Sequence, residues 1–369
     1  MIENSLFESF AHYARGLATM SFFMWVVVIY NIRRRNRMTF LLFLFVCYVE
    51  LGYLKDFIFL FPSFYEKPLI EDLVSIFDIS CTPLVCAFFL EATYPGIVRN
   101  RSLLISYLLF IAFMPLYSLT PSSGILLSVF VLSVLSVLCT LVVVSINAVR
   151  YDKSLSENYS YKKNISVKWV VICISCYFLW LLSYEFLFYE PTWLGEAVYD
   201  GGSAIFWNIV CVLNYNHQVV VDPFTLQSGV GQSGVGQSDD NPSDVGEDYR
   251  EVSAKDVHLA NALQHCMEIE KLYLNPRLSL NDLVVAVGSN KTYLSTHINR
   301  QGKTFYDYIN EYRVVEACRI MDVKSMGERL SMADVASRSG FNSISSFNRY
   351  FFKIKGITPS QYSRRMNHE

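Results

Sequence analysis

Two short stretches carry side chains able to hydrogen-bond outward from a helix: Thr292, Ser295 and Thr296 in one, Ser345, Asn348 and Arg349 in the other. Spacings of three and four residues set each trio near one helical face. Hydroxyl, amide and guanidinium groups can pair with base edges in a DNA major groove, and an arginine fork fits guanine best. Arg300, Lys303, Lys353 and Lys355, with Arg364 and Arg365, offer a second chemistry. Their charge can neutralise phosphates, which gives affinity but no sequence information. Arg349 is the strongest candidate for a base contact, with Thr296 at the equivalent place in the first stretch.

The elements that would position these groups are written twice. Ser279, Asp282, Leu283, Val284 and Gly288 return as Ser331, Asp334, Val335, Ala336 and Gly340. Each serine can cap a helix, each aspartate sits where the helix dipole favours negative charge, and each glycine suits a left-handed helix end. A second helix follows in each copy, Lys291 to Arg300 and Ser343 to Lys353. Leu294 and Ile298 in the first, and Phe347 and Phe351 in the second, pack inward and leave the polar faces outside. This pattern predicts two helix-turn-helix units. From residue 256 onward, 15 Lys and Arg face 11 Asp and Glu, against a net charge of −2 for the whole chain.

Tyr308-Ile309, Arg313-Val314, Ala317, Ile320-Met321, Gly340-Phe341, Ser343, Ser345, Phe347, Arg349, Phe351, Lys353, Gly356 and Thr358-Pro359 together resemble the AraC-type transcription regulators. The resemblance covers roughly residues 258 to 366. It implies two helix-turn-helix units bridged by a long helix, here about Phe305 to Met321, that enter successive major-groove segments on one face of double-stranded DNA. Two departures from the family pattern stand out. Phe352 stands where a basic residue is usual, and the first recognition helix offers Thr292 and Thr296 rather than an arginine.

The N-terminal part is a different polymer. The chain is 52% hydrophobic and 15% aromatic, and the excess lies upstream of the basic tail. Apolar runs occur at Leu17 to Ile32, Met38 to Phe61, Leu69 to Ala92, Leu103 to Leu119, Ile125 to Val149, Val167 to Tyr189 and Gly195 to Val219. Each approaches the length a helix needs to cross a bilayer, so about seven transmembrane helices are expected. Arg33, Arg34, Arg35 and Arg37, then Arg99 and Arg101, then Arg150, Lys153, Lys162 and Lys163 fall in odd-numbered loops. The N-terminus is therefore expected outside and the C-terminal domain in the cytoplasm, on a multi-pass protein of a bacterial inner membrane. The first apolar run is preceded by Glu3 and Glu8 and followed by the basic cluster, which reads as a retained helix rather than a cleaved leader.

The expected fold is thus all-α: a membrane bundle over residues 1–221, a flexible linker over 222–255, and a DNA-binding domain over 256–369. The linker contains a direct repeat of Gln-Ser-Gly-Val-Gly from Gln227 and an acidic stretch from Asp239. It has too few apolar side chains to offset its ordering entropy.

Ionisable residues within the apolar runs are costly and tend to be paired or used. Glu50, Lys55, Asp78 and Glu185 are the candidate signal site, with Lys55 able to pair with Asp78 or Glu185. Asp56, Asp72 and Asp200 fall at similar depth. No catalytic set, metal site or cofactor motif is expected, and Cys173-Ile-Ser-Cys176 reads as small-residue packing.

The function expected is a membrane-tethered transcription regulator that couples a membrane or external signal to promoter binding. Its partners are double-stranded DNA, lipid, a signal molecule and a second copy of the chain. A flexible tether transmits rigid motion poorly, leaving dimerisation, the favoured route, or docking of the domain on cytoplasmic loops. The alternative is a transporter or receptor whose C-terminal domain serves regulatory or protein contacts.

Overall fold

The computed structural model describes residues 2–56, 68–162, 165–189, 192–217, 245–323 and 331–366, with side chains from residue 6 except 184–189 and 245–255. Their regular elements are helices, and one isolated antiparallel bridge joins Tyr159 to Ser279. Two units separate: Met1–Tyr151 with Val167–Val219, and Asp152–Ser166 with Val220–Glu369.

The first unit holds α1 (Ile2–Ile32), α2 (Arg37–Lys55), α3 (Pro68–Ile79), α4 (Thr82–Thr93), α5 (Asn100–Ile111), α6 (Phe113–Leu119), most of α7 (Ser123–Asn158), α8 (Lys168–Tyr189) and α9 (Trp193–Asn216). Five stretches among the described residues are long and apolar enough to cross a membrane: Leu6–Ile32, Arg37–Lys55, Pro68–Thr93, Asn100–Leu119 and Ser123–Asn158. The two remaining expected spans correspond to α8, which is apolar over Lys168–Ser183, and to α9, which carries Glu196 and Asp200.

Two of the expected runs are broken. Leu69 to Ala92 divides into α3 and α4, because Pro83 in the first turn of α4 cannot donate a backbone hydrogen bond. Thr82 Oγ1 then donates to the carbonyl of Ile79, 2.7 Å away. Leu103 to Leu119 breaks at Ala112, ahead of Pro115, for the same reason. On α1, α5 and α7 large apolar side chains stay exposed, among them Leu17, Phe23, Leu104, Ile105, Leu108, Leu135 and Val142. Helices apolar on their outer faces suit a hydrocarbon solvent and are compatible with membrane insertion.

In the second unit come α10 (Val245–Glu268), a short 3₁₀ turn at Leu272–Leu274, α11 (Leu280–Val287), α12 (Lys291–Arg300), α13 (Phe305–Val323), α14 (Met332–Arg338), α15 (Ile344–Lys355) and α16 (Pro359–Met366). Helix is already present at Val245, inside the stretch expected as linker, while residues 218–244 lie outside those described. Two cores flank α13. Leu263, Met267, Leu283, Leu294, Ile298 and Ile309 build the first, and Val314, Ala317, Val335, Phe341, Phe347 and Phe351 the second.

The last elements of α7 belong here too. That helix runs 36 residues, past the expected end at Val149, and its final residues group with the second unit.

Candidate nucleic-acid interface and membrane cavity

Both serine-aspartate pairs form reciprocal capping boxes. Ser279 Oγ accepts from the Asp282 amide at 3.2 Å while Asp282 accepts from the Ser279 amide at 2.8 Å. Ser331 and Asp334 repeat this at 3.2 and 3.0 Å. Such boxes fill orphan donors at the start of α11 and α14 and fix where each helix begins. At the far ends, Gly288 and Gly340 have φ of 66° and 86°. Asn290 caps α12, its Oδ1 accepting from the Tyr293 amide at 2.7 Å, and Ser343 caps α15, its Oγ accepting from the Ser346 amide at 3.2 Å.

These caps orient the candidate readers. Leu294 and Ile298 on α12, and Phe347 and Phe351 on α15, are buried. Thr292 and Thr296 are exposed, and Ser295 is half-buried, its Oγ accepting from Asn299 Nδ2 at 3.4 Å. On α15, Ser345, Asn348, Arg349 and Phe352 are exposed. Arg349 Nη2 donates to the Tyr306 hydroxyl at 3.1 Å, so its fork rests on α13.

Of the six phosphate candidates, Arg300, Lys303 and Lys353 are engaged by carboxylates, and Arg364 and Arg365 are exposed. Arg300 pairs with Asp256 at 3.2 Å, Lys303 with Glu311 at 2.5 Å and Lys353 with Asp307 at 2.7 Å. Lys355 Nζ lies 6.0 Å from the ring centre of Tyr362. Arg300 and Lys353 remain 60% and 62% exposed, so their pairs are weak and can exchange for a phosphate. Burial would raise the Asp307 carboxyl, but hydrogen bonds from Lys353, Tyr350 and Thr304 outweigh it and hold the group at about 2. The Asp256 carboxyl is lowered by hydrogen bonds from Tyr293 and Arg300.

Sequence reasoning placed Arg313 in the resemblance but assigned it no role. Among the described residues it is the largest side chain with under 2% exposure. Nε donates to the Tyr273 carbonyl at 2.7 Å and Nη2 to the Asn275 carbonyl at 2.7 Å, which tie α13 to the first core. Burial lowers its guanidinium to about 9. Its place on the apolar stripe of α13, four residues from both Ile309 and Ala317, was the available signal, because a buried charge must have its donors filled.

In the first unit, a cavity of about 160 Å³ is lined by Tyr48, Gly52, Tyr53, Asp56, Asp78, Tyr177, Trp180, Tyr199, Asp200 and Trp207, among others. Of the four candidate signal residues, Asp78 lines it. Lys55 binds Asp78 at 2.9 Å and Asp56 at 2.7 Å. Glu50 is buried away from the cavity lining, and among the described residues its Oε2 has no hydrogen-bond partner. The Glu185 side chain lies outside those described. Arg15, absent from the candidate set, binds Asp200 at 3.2 Å and Glu196 at 3.0 Å. It was missed because it precedes the first expected span, whereas α1 is helical from Ile2.

Residues 283–365 match the family described as helix-turn-helix domain. The match is confined to the second unit and includes α12, α13, α14 and α15. The transcriptional activator RhrA of Rhizobium meliloti is 30% identical over 98 residues, which cover 27% of this chain and 31% of RhrA. The transcriptional regulatory protein HptR of Staphylococcus aureus is 23% identical over 90 residues, covering 24% of this chain and 34% of its own. The chain thus spans about a third of the length of the curated relatives it matches. No solved structure matches it.

Proposed function

We propose that this chain is a membrane-tethered transcription regulator whose second unit binds double-stranded DNA in a sequence-dependent way. One observation carries the reading: two capped helices, α12 and α15, present exposed hydroxyl, amide and guanidinium groups from separate cores joined by α13. The helix-turn-helix match and the regulatory names of RhrA and HptR support it.

In this reading Thr292, Ser295, Thr296, Ser345, Asn348 and Arg349 face base edges, while Arg300, Lys303, Lys353 and Lys355 face phosphates. Each of the three paired cations trades its carboxylate for a phosphate oxygen. The first unit is a bundle of seven transmembrane helices with the N-terminus outside and the C-terminus in the cytoplasm. Its aromatic, carboxylate-rich cavity beside Lys55 is the site where a signal molecule acts. Residues 222–244 tether the two functions, and a second copy of the chain is a partner on DNA.

Footprinting of genomic fragments on the full chain in lipid nanodiscs tests this. Protected sites that share a two-part sequence are expected, with parts about one helical turn apart. Protection without any shared sequence, or none at low salt, would overturn the reading. Reporter fusions at residue 369 test the topology, and a periplasmic signal there would reject it.

A further inference from the structure

Residues 152–166 group with the DNA-binding unit, although in sequence they connect two apolar helices. Ser160 is their anchor, at 1% exposure. Its amide donates to the Leu278 carbonyl at 3.1 Å and its hydroxyl donates to the same oxygen at 2.7 Å. Its carbonyl accepts from Arg313 Nη1 at 2.9 Å and from Asn310 Nδ2 at 3.4 Å, and its Oγ accepts from Arg313 Nη2 at 3.0 Å. Tyr159 forms the bridge to Ser279, the residue that caps α11.

The segment reaches both halves of the domain. Leu278 belongs to the first core, whereas Lys162 stands 5.2 Å from the ring of Tyr306, which belongs to the second. Tyr306 is also the residue that holds Arg349. At the other end, burial lowers the Lys291 ammonium and the nearby Glu157 carboxylate opposes that shift. Lys291 opens α12, where the helix dipole and the ammonium together would attract a DNA phosphate. A carboxylate at that place competes with the phosphate for the same charge.

The contact is polar and specific. Hydrogen bonds to one serine fill donors of a buried guanidinium, and water can fill those donors when the serine leaves. Such an exchange is close to balanced, as a reversible contact requires.

Building on the DNA-binding reading above, we propose that residues 152–162 form a strap that bridges the two helix-turn-helix halves, that the docked strap restrains DNA binding, and that its release is how the first unit controls the second. This assigns coupling to docking on a connecting loop rather than to dimerisation. The connector 222–244 then only keeps the released domain nearby.

The test uses the full chain in nanodiscs and two variants. Ser160→Trp cannot fit the buried place that Ser160 fills, and Glu157→Gln keeps every hydrogen bond of Ser160 but removes the competing charge. Hydrogen exchange without DNA reads docking; a labelled duplex of mixed sequence reads affinity across salt. Ser160→Trp is expected to raise exchange in residues 272–279 and 306–313 and to tighten duplex binding by about threefold to tenfold. Glu157→Gln should leave exchange unchanged, tighten binding at low salt and steepen the salt slope by roughly one phosphate contact. Unchanged exchange in Ser160→Trp overturns the docked strap, and raised exchange with equal or weaker binding overturns its restraining role. A Glu157→Gln chain that binds as wild type at every salt concentration overturns the competition at Lys291. Duplex binding absent from all forms, wild type included, would instead reject the DNA-binding reading.

Discussion

Arg349 and Lys353 lie one helical turn apart on α15, yet the free protein holds them in different ways. Arg349 bonds a neutral phenol, Tyr306, whereas Lys353 bonds the carboxylate of Asp307. Only the second partner carries charge that DNA must displace. Arg349→Ala is expected to cost about 1 to 3 kcal/mol of binding and to relax preference at one base pair, read by competition among duplexes that differ at single positions. Asp307→Asn should have the opposite sign, freeing Lys353 for phosphate and strengthening duplex binding uniformly across sequences. The same carboxylate gives a pH signature. Its folded value of about 2 lies below the ordinary 3.8, so its contribution to stability is present above about pH 4 and disappears as pH falls toward 2. Melting of the second unit, followed by a fluorophore at the C-terminus, should show that loss in wild type and not in Asp307→Asn.

At the scale of elements, the two copies of the serine-to-glycine motif look alike in sequence but their glycines stand in different surroundings. A Cβ on Gly288 would meet nothing within 4 Å, whereas one on Gly340 would come within 2.5 Å of the Tyr273 carbonyl oxygen and 2.8 Å of the Leu274 Cα. Both have positive φ, which costs a side chain about 1 kcal/mol. Gly288→Ala should therefore destabilise the second unit by about 1 kcal/mol, and Gly340→Ala by about 3 kcal/mol or more, because backbone must move. Chemical denaturation read by the same fluorophore separates them. Ser279→Ala and Ser331→Ala each remove a cap and should cost about 1 kcal/mol.

This contrast shows what the sequence made legible. Caps, glycines and apolar spacing are local signals, and they placed α12 from Lys291 to Arg300 and α13 from Phe305 with little error. The breaks at Pro83 and Pro115 were equally local but were absorbed into long hydrophobic runs. Contacts between distant residues left no such trace. Arg15 with Asp200, Arg300 with Asp256, and Arg313 with Ser160 depend on how helices assemble, which no single window of sequence encodes.

For the whole molecule, the charges of the second unit decide how it meets a polyanion. Ion pairs at Arg300, Lys303 and Lys353 lower its net field in the free state, so its attraction to DNA should be modest and strongly salt-dependent. Replacing Asp256, Glu311 and Asp307 together with their amides should raise affinity for any duplex while narrowing the margin between target and bulk DNA. Competition with genomic DNA measures that margin.

Helix α7 carries one more consequence. It is unbroken over 36 residues, from Ser123 in one unit to Asn158 in the other. An α-helix is a screw, and each inserted residue turns everything beyond it by about 100°. One residue added within its apolar stretch would turn Leu155 and Ser154 by that angle about the axis of α7, whereas seven added residues, about two full turns, would restore their azimuth. Promoter output plotted against insertion length should therefore rise and fall with the pitch of the helix, and a flat plot would mean that its angular phase carries no information.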